Sequence, residues 1–295
     1  LTKLYYCDFH EIPLPAGHRF PVTKYRLVRE LLEPDGLFDF TRSPIASIED
    51  VELAHDPEYV RQFMQGELPA AAIRRIGFPW SEGLVRRTLA SVGGTLQATR
   101  DAVETGCGAT LAGGTHHAFR AEGSGFCVFN DIAIAIEWLR AEHGVKRAAV
   151  IDLDVHQGDG TAAIFAADPG VFTLSIHGRN NFPFRKQQSR LDVDLADGTG
   201  DEEYLKALDS VLPRVFEFDP QAVFYQSGVD ALESDTLGRL ALTPEGLRER
   251  DMRVMTAAKA HGAPFILTLG GGYSKPIELT AQAHATTYRT AAQFW

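Results

Sequence analysis

The chain is short of cysteine, of positive charge and of long apolar runs. Its three cysteines, Cys7, Cys107 and Cys127, form no CxxC pair and no even set. That excludes a disulfide framework and leaves free, buried thiols in a reducing compartment as the expectation. Lysine and arginine number 29 against 39 aspartates and glutamates, a formal net charge of −10. The cation surplus that neutralises phosphates is missing, so direct nucleic-acid binding is not expected. The same balance favours a cationic substrate by long-range attraction. No apolar run is long enough to span a bilayer. The segment LTKLYYCDFHEIPLP lacks the basic-then-apolar pattern of a signal peptide. No membrane partner and a cytoplasmic location are therefore expected. Linkers, low-complexity tracts and internal repeats are missing as well, so residues 1–295 read as one domain.

What is present is an alternation of two periodicities. Hydrophobic residues make up 44% of the chain, enough for a sizeable core. Helical spacing predicts helices over 24–33, 84–104 (interrupted at Gly93 and Gly94), 130–143, 202–218, 245–261 and 277–292. Short apolar runs predict strands over 147–153, 171–176, 222–226 and 265–269, and a further short run covers 109–112. Apolar strands separated by helices imply βαβ units and a mainly parallel sheet with helices on both faces, a three-layer α/β/α fold.

Ligands in such sheets bind beyond the carboxyl ends of the strands. Four predicted strand ends carry reactive side chains there. The run before 113 ends in Gly113-Gly114-Thr115-His116-His117, and 147–153 runs into Asp152-Leu153-Asp154-Val155-His156. The strand at 222–226 leads to Ser227-Gly228-Val229-Asp230, and 265–269 leads to Gly270-Gly271-Gly272-Tyr273. Asp154 and His156 are two apart, so in an extended segment both face one side and can ligate one ion. Asp230 can supply a third ligand from a separate strand. Two carboxylates and an imidazole leave an open position for water, as a catalytic metal site requires. The donor set suits Zn2+ and also admits Fe2+ or Co2+.

The order and wording of these stretches resemble the arginase-like histone deacetylase family. The resemblance also takes in Gly125-Phe126-Cys127-Val128-Phe129-Asn130-Asp131, Gln157-Gly158-Asp159-Gly160 and Leu174-Ser175-Ile176-His177, and begins near His18-Arg19-Phe20-Pro21. It implies zinc-dependent hydrolysis of an acyl-amide bond, with an acylated lysine or an acylated polyamine as substrate. It assigns the metal to Asp154, His156 and Asp230. His117 becomes the principal general base and then acid, and His116 an electrostatic partner. Asp152 and Asp159 become the carboxylates that orient His116 and His117, respectively. Tyr273 becomes the donor to the developing oxyanion. Gly125, Phe126, Phe182 and Gly271 match the channel for the lysine stem, and Lys24 matches a basic position at its foot. Asp152, Asp154, His156, Ser175 and Ile176 match a structural site for K+ or Na+. Gln157, where many members have a second histidine, resembles the class IV branch. That branch implies acceptance of acyl groups longer than acetyl.

Three other readings stay open. A binuclear ureohydrolase of the same fold needs extra carboxylates, yet His116-His117 stands where that enzyme would present an Asp-His pair. An acetylpolyamine amidohydrolase would use the acidic balance, and Glu82 in the loop before the 84–104 helix, to attract a cation. A module that binds acyl-lysine without cleaving it would be expected to lack Tyr273 or a metal ligand, and the chain has both.

Overall fold

A computed structural model describes residues 2–295. In chain order the strands are β1 (Thr2–Tyr6), β2 (Phe38–Arg42), β3 (Cys107–Thr110), β4 (Ala148–Asp152), β5 (Val171–Gly178), β6 (Leu191–Leu195), β7 (Ala222–Gln226) and β8 (Phe265–Thr268). They form one sheet in the order β2-β1-β3-β8-β7-β4-β5-β6. Every pairing is parallel. The helices are α1 (Lys24–Leu32), α2 (Ile48–Glu52), α3 (Pro57–Gln65), α4 (Ala70–Ile76), α5 (Glu82–Thr105), α6 (Asp131–His143), α7 (Asp159–Ile164), α8 (Asp201–Glu217), α9 (Pro244–His261) and α10 (Ile277–Ala291).

The strands bury both faces, and alternate residues go to different cores. Ala149, Ile151, Val223, Tyr225, Phe265 and Leu267 pack with residues of α1, α8, α9 and α10. Their neighbours Ala148, Val150, Ala222, Phe224 and Ile266 pack with α3, α5 and α6 on the opposite face. The expected three layers follow directly from this period-two alternation. Each fully buried Leu, Ile or Phe contributes about 1.5–3 kcal/mol, so the sheet is a stiff platform for the loops at its edges.

The central elements lie close to their predicted positions, and the differences have physical causes. β2 and β6 are edge strands whose aspartates, Asp39, Asp192 and Asp194, alternate with apolar residues and break up the apolar run. β1, short and mixed in character, was also not anticipated, nor were the short helices α2, α3, α4 and α7. α5 is continuous through Gly93 and Gly94. A Cβ at Gly93 would lie 2.0 Å from the carbonyl oxygen of Pro44, so glycine there serves a close chain crossing and not a break. No helix among the described residues is long and apolar enough to cross a membrane.

Candidate active site

β3, β8, β7 and β4 are consecutive neighbours in the sheet, so the loops at their carboxyl ends meet. Asp154, His156 and Asp230 are buried there, each offering a ligand atom within 4.8 Å of the others. His156 Nδ1 lies 2.9 Å from Asp154 Oδ1 and 3.1 Å from Asp230 Oδ2. The remaining carboxylate oxygens are anchored. Asp154 Oδ2 accepts from the Gly271 N–H at 2.8 Å and from Gln226 Nε2 at 3.0 Å. Asp230 Oδ1 accepts from the Val155 N–H at 2.8 Å. Each carboxylate thus spends one oxygen on the scaffold and turns the other toward a common point. Burial and the charge of Asp154 push the Asp230 carboxyl up to about 7. Burial also opposes ionisation of Asp154, but His116 and His156 hold that carboxyl well below the usual carboxylate range. Two buried carboxylates with a single imidazole between them are a donor set that fits a divalent cation. Among the described residues this is the one group of three that meets the geometry.

Two histidine–aspartate pairs stand beside this group. His116 Nδ1 is 2.7 Å from Asp152 Oδ2, and His117 Nδ1 is 2.6 Å from Asp159 Oδ1. The carboxylates fix the imidazole orientation and leave Nε2 free on each ring. Their electrostatic settings differ. Burial disfavours a charge on His116, but Asp152 and Asp154 outweigh it and carry that imidazole up to about 9. Burial and the adjacent His116 hold His117 down at about 4 against the pull of Asp159. The two rings are thus shifted in opposite directions, His116 by its carboxylate neighbours and His117 by burial and by His116.

A cavity of about 650 Å³ opens over these groups and is lined by His117, His156, Tyr273, Gly125, Phe126 and Phe182. The Phe182 ring stands edge-on to His117 at 5.0 Å. Phe126 has φ 65°, an uncommon conformation for a bulky residue. It is held there by its own N–H on Ile76 O at 2.7 Å and by the Gly125 N–H on Arg75 O at 3.1 Å. Burial keeps the Tyr273 phenol well above its ordinary pKa, so it remains a donor. Gly271 is half-buried and lies directly against the ligands. A Cβ there would be 2.1 Å from Asp230 Oδ2. Lys24 is buried, its Nζ 3.0 Å from Gly270 O and 5.2 Å from the Tyr273 ring centre. Burial lowers its ammonium to about 8 despite Asp230 and Asp154. Asp152 and Ser175 are register partners across β4 and β5, and Ser175 Oγ is 2.9 Å from His177 Nδ1. Glu82 is apart from this cavity and pairs with Arg86 at 2.9 Å.

A histone deacetylase domain model matches residues 18–290. The chain belongs to the histone deacetylase family. Relatives in that comparison include an uncharacterised protein of Picosynechococcus sp., 44% identical over 95% of this chain and 94% of its own length. A histone deacetylase-like amidohydrolase of Pseudomonas aeruginosa is 33% identical over 89% of this chain and 74% of its own. Histone deacetylase 2 of Arabidopsis thaliana is 31% identical over 88% and 70%, respectively.

Several supports of this histone deacetylase site escaped the motif reading. The Arg250 guanidinium is fully buried and donates to the carbonyls of Gly228 (2.7 Å), Leu153 (3.2 Å) and Ser227 (3.3 Å). It therefore ties together the two loops that carry Asp154 and Asp230, and Asp251 balances its charge at 2.9 Å. Asp131 accepts from the N–H groups of Gly114 and Thr115 at 3.0 and 2.8 Å, anchoring the loop that carries His116 and His117. Asp235 accepts from the Tyr273 N–H at 2.6 Å. Asp131 closes the matching Gly125–Asp131 stretch, but its hold on the His116–His117 loop shows only in the fold. Arg250 and Asp235 lie outside any motif, and only their burial as charged residues marks them.

Proposed function

We propose that this chain is a zinc-dependent deacylase that hydrolyses the amide bond of an N6-acyl-lysine side chain. One observation carries the reading. Three metal-type ligands, two buried histidine–aspartate pairs and a tyrosine donor converge on one cavity. Asp154, His156 and Asp230 would hold the ion, which when bound would supply Lewis-acid polarisation of the carbonyl and activation of water. His117 Nε2 takes the proton of the attacking water and passes it to the departing lysine nitrogen. His116, charged through Asp152, stabilises the negative charge that builds up beside it. The Tyr273 hydroxyl donates to the developing oxyanion. Phe126 and Phe182 pack along the lysine stem, and Gly125 leaves room between them. Asp152, Asp154, His156, Ser175 and Ile176 would hold a structural K+ or Na+.

Acyl groups longer than acetyl belong to the same reading. A second cavity of about 60 Å³ is lined by Phe20, Phe78, Phe126 and Val128, and also by the polar Arg87, Ser91 and Thr115. Its volume has room for no more than a short alkyl extension. The Lys24 ammonium opposes that extension only where it points into the channel, and here it is committed to Gly270 O.

The test is to load the protein with zinc and incubate it with an acetyl-lysine peptide. Mass spectrometry should show free lysine at the acylated position and release of acetate. An intact peptide, with zinc bound and the protein folded, would refute the assignment.

A further inference from the structure

The cavity mouth has the opposite charge from the chain as a whole. Arg19, Arg74, Arg75 and Arg239 line it, and no aspartate or glutamate does. They come from separate places: the loop before α1, the end of α4 and the loop after β7. Arg75 is paired with Glu122 and Arg239 with Asp197. Arg19 and Arg74 are exposed and make no ion pair among the described residues. Lys186, beside the same mouth, spends its ammonium on the carbonyl oxygens of Asn181 and Pro183 and not on an acid. Phe184 stands on this rim at 84% exposure, the highest among the large apolar side chains described.

Unpaired guanidinium groups around a pocket present fork-shaped donors to carboxylates. An exposed aromatic ring next to them offers apolar contact to a chain that passes over the mouth. A polycationic substrate would meet the unpaired Arg19 and Arg74 at this entrance. We propose that the preferred substrate is an acyl-lysine set in an acidic polypeptide segment, with aspartate or glutamate flanking the acylated side chain. The proposal rests on the deacylase reading above for what happens at the floor of the cavity. The mouth supplies the selection.

The test uses zinc-loaded protein and acetyl-lysine peptides of one sequence, with Asp, Ala or Lys at the flanking positions, together with N-acetylputrescine. Exposed ion pairs are worth at most about 1 kcal/mol each, so Asp-flanked peptides should exceed Lys-flanked ones in kcat/KM by on the order of tenfold at low salt. The gap should close at about 0.5 M salt, where exposed charges are screened. It should reverse in the double variant Arg19→Glu/Arg74→Glu. N-acetylputrescine should fall at or below the Lys-flanked peptide. Turnover that ignores the flanking charge, or favours lysine, would overturn the proposal and leave the deacylase reading standing. If no peptide is hydrolysed, the deacylase reading fails, and fluorescence anisotropy with labelled peptides then decides the mouth separately. Tighter binding of the acidic peptide, lost in the double variant, supports it, and equal binding overturns it.

Discussion

The floor and the mouth of the cavity are built by opposite means. On the floor, Asp154 is fixed by Gly271 and Gln226, Asp230 by Val155, Asp152 by His116 and Asp159 by His117. All four carboxylates are buried. A buried charge deprived of its partner typically costs about 3–5 kcal/mol, so these groups stand or fall together. At the mouth, Arg19 and Arg74 are exposed side chains on separate segments, each worth little on its own. The contrast separates chemistry from selection: the floor decides whether the amide breaks, and the mouth decides which amide arrives.

The most damaging single changes should lie on the floor. His117→Ala is expected to lower turnover on the order of 10²–10⁴-fold, because proton transfer loses its carrier. Tyr273→Phe should lower it on the order of 10²–10³-fold. Zinc content, read by atomic emission, should stay at the wild-type level in both variants. Loss of zinc along with activity would place either residue in the ligand set instead. Gln226→Leu tests the layer beneath. It removes the hydrogen bond to Asp154 and the acceptor of the Gly228 N–H, and Gln226 does not line the cavity; zinc affinity should weaken by about 10–100-fold. An unchanged affinity in a competitive chelator titration would show that the Gly271 N–H holds Asp154 without either Gln226 contact.

The two regions also differ in how much the sequence disclosed. The floor residues fall at strand ends with short, fixed spacings, such as Asp154 and His156 two apart, so periodicity and motif were enough to collect them. The central strands were readable for the same reason, being unbroken apolar runs. The edge strands β2 and β6 were not, because half-exposed strands carry aspartates that mimic a loop. Arg250 joins loops that end two different strands, a contact that only the folded sheet creates. The mouth was the least legible part. A net charge of −10 suggested a cationic substrate, whereas the groups that line the entrance are arginines. Net charge sums over a whole surface and does not report where the charges lie.

Smaller effects should come from the periphery. Kinetics with acetyl, propionyl and butyryl peptides of one sequence probe the small cavity beside Phe126. Each methylene buried there should raise kcat/KM about fourfold, the equivalent of about 0.8 kcal/mol. A steady fall with chain length would close that cavity to substrate while leaving the floor chemistry intact. Arg74→Ala should lower kcat/KM for an Asp-flanked peptide by no more than about fivefold. A loss as large as that of Tyr273→Phe would move Arg74 from the mouth into the chemistry and dissolve the contrast between the two regions.

The central claim is that one metal ion, held by Asp154, His156 and Asp230, makes the floor a hydrolytic site. The direct measurement is a calorimetric zinc titration of metal-free protein, with acetyl-lysine peptide turnover assayed at each step. The account predicts one tight equivalent per chain, turnover that rises in proportion and levels off at that equivalent, and loss of both in Asp154→Ala. Two tight equivalents, or full turnover in the metal-free protein, would contradict it.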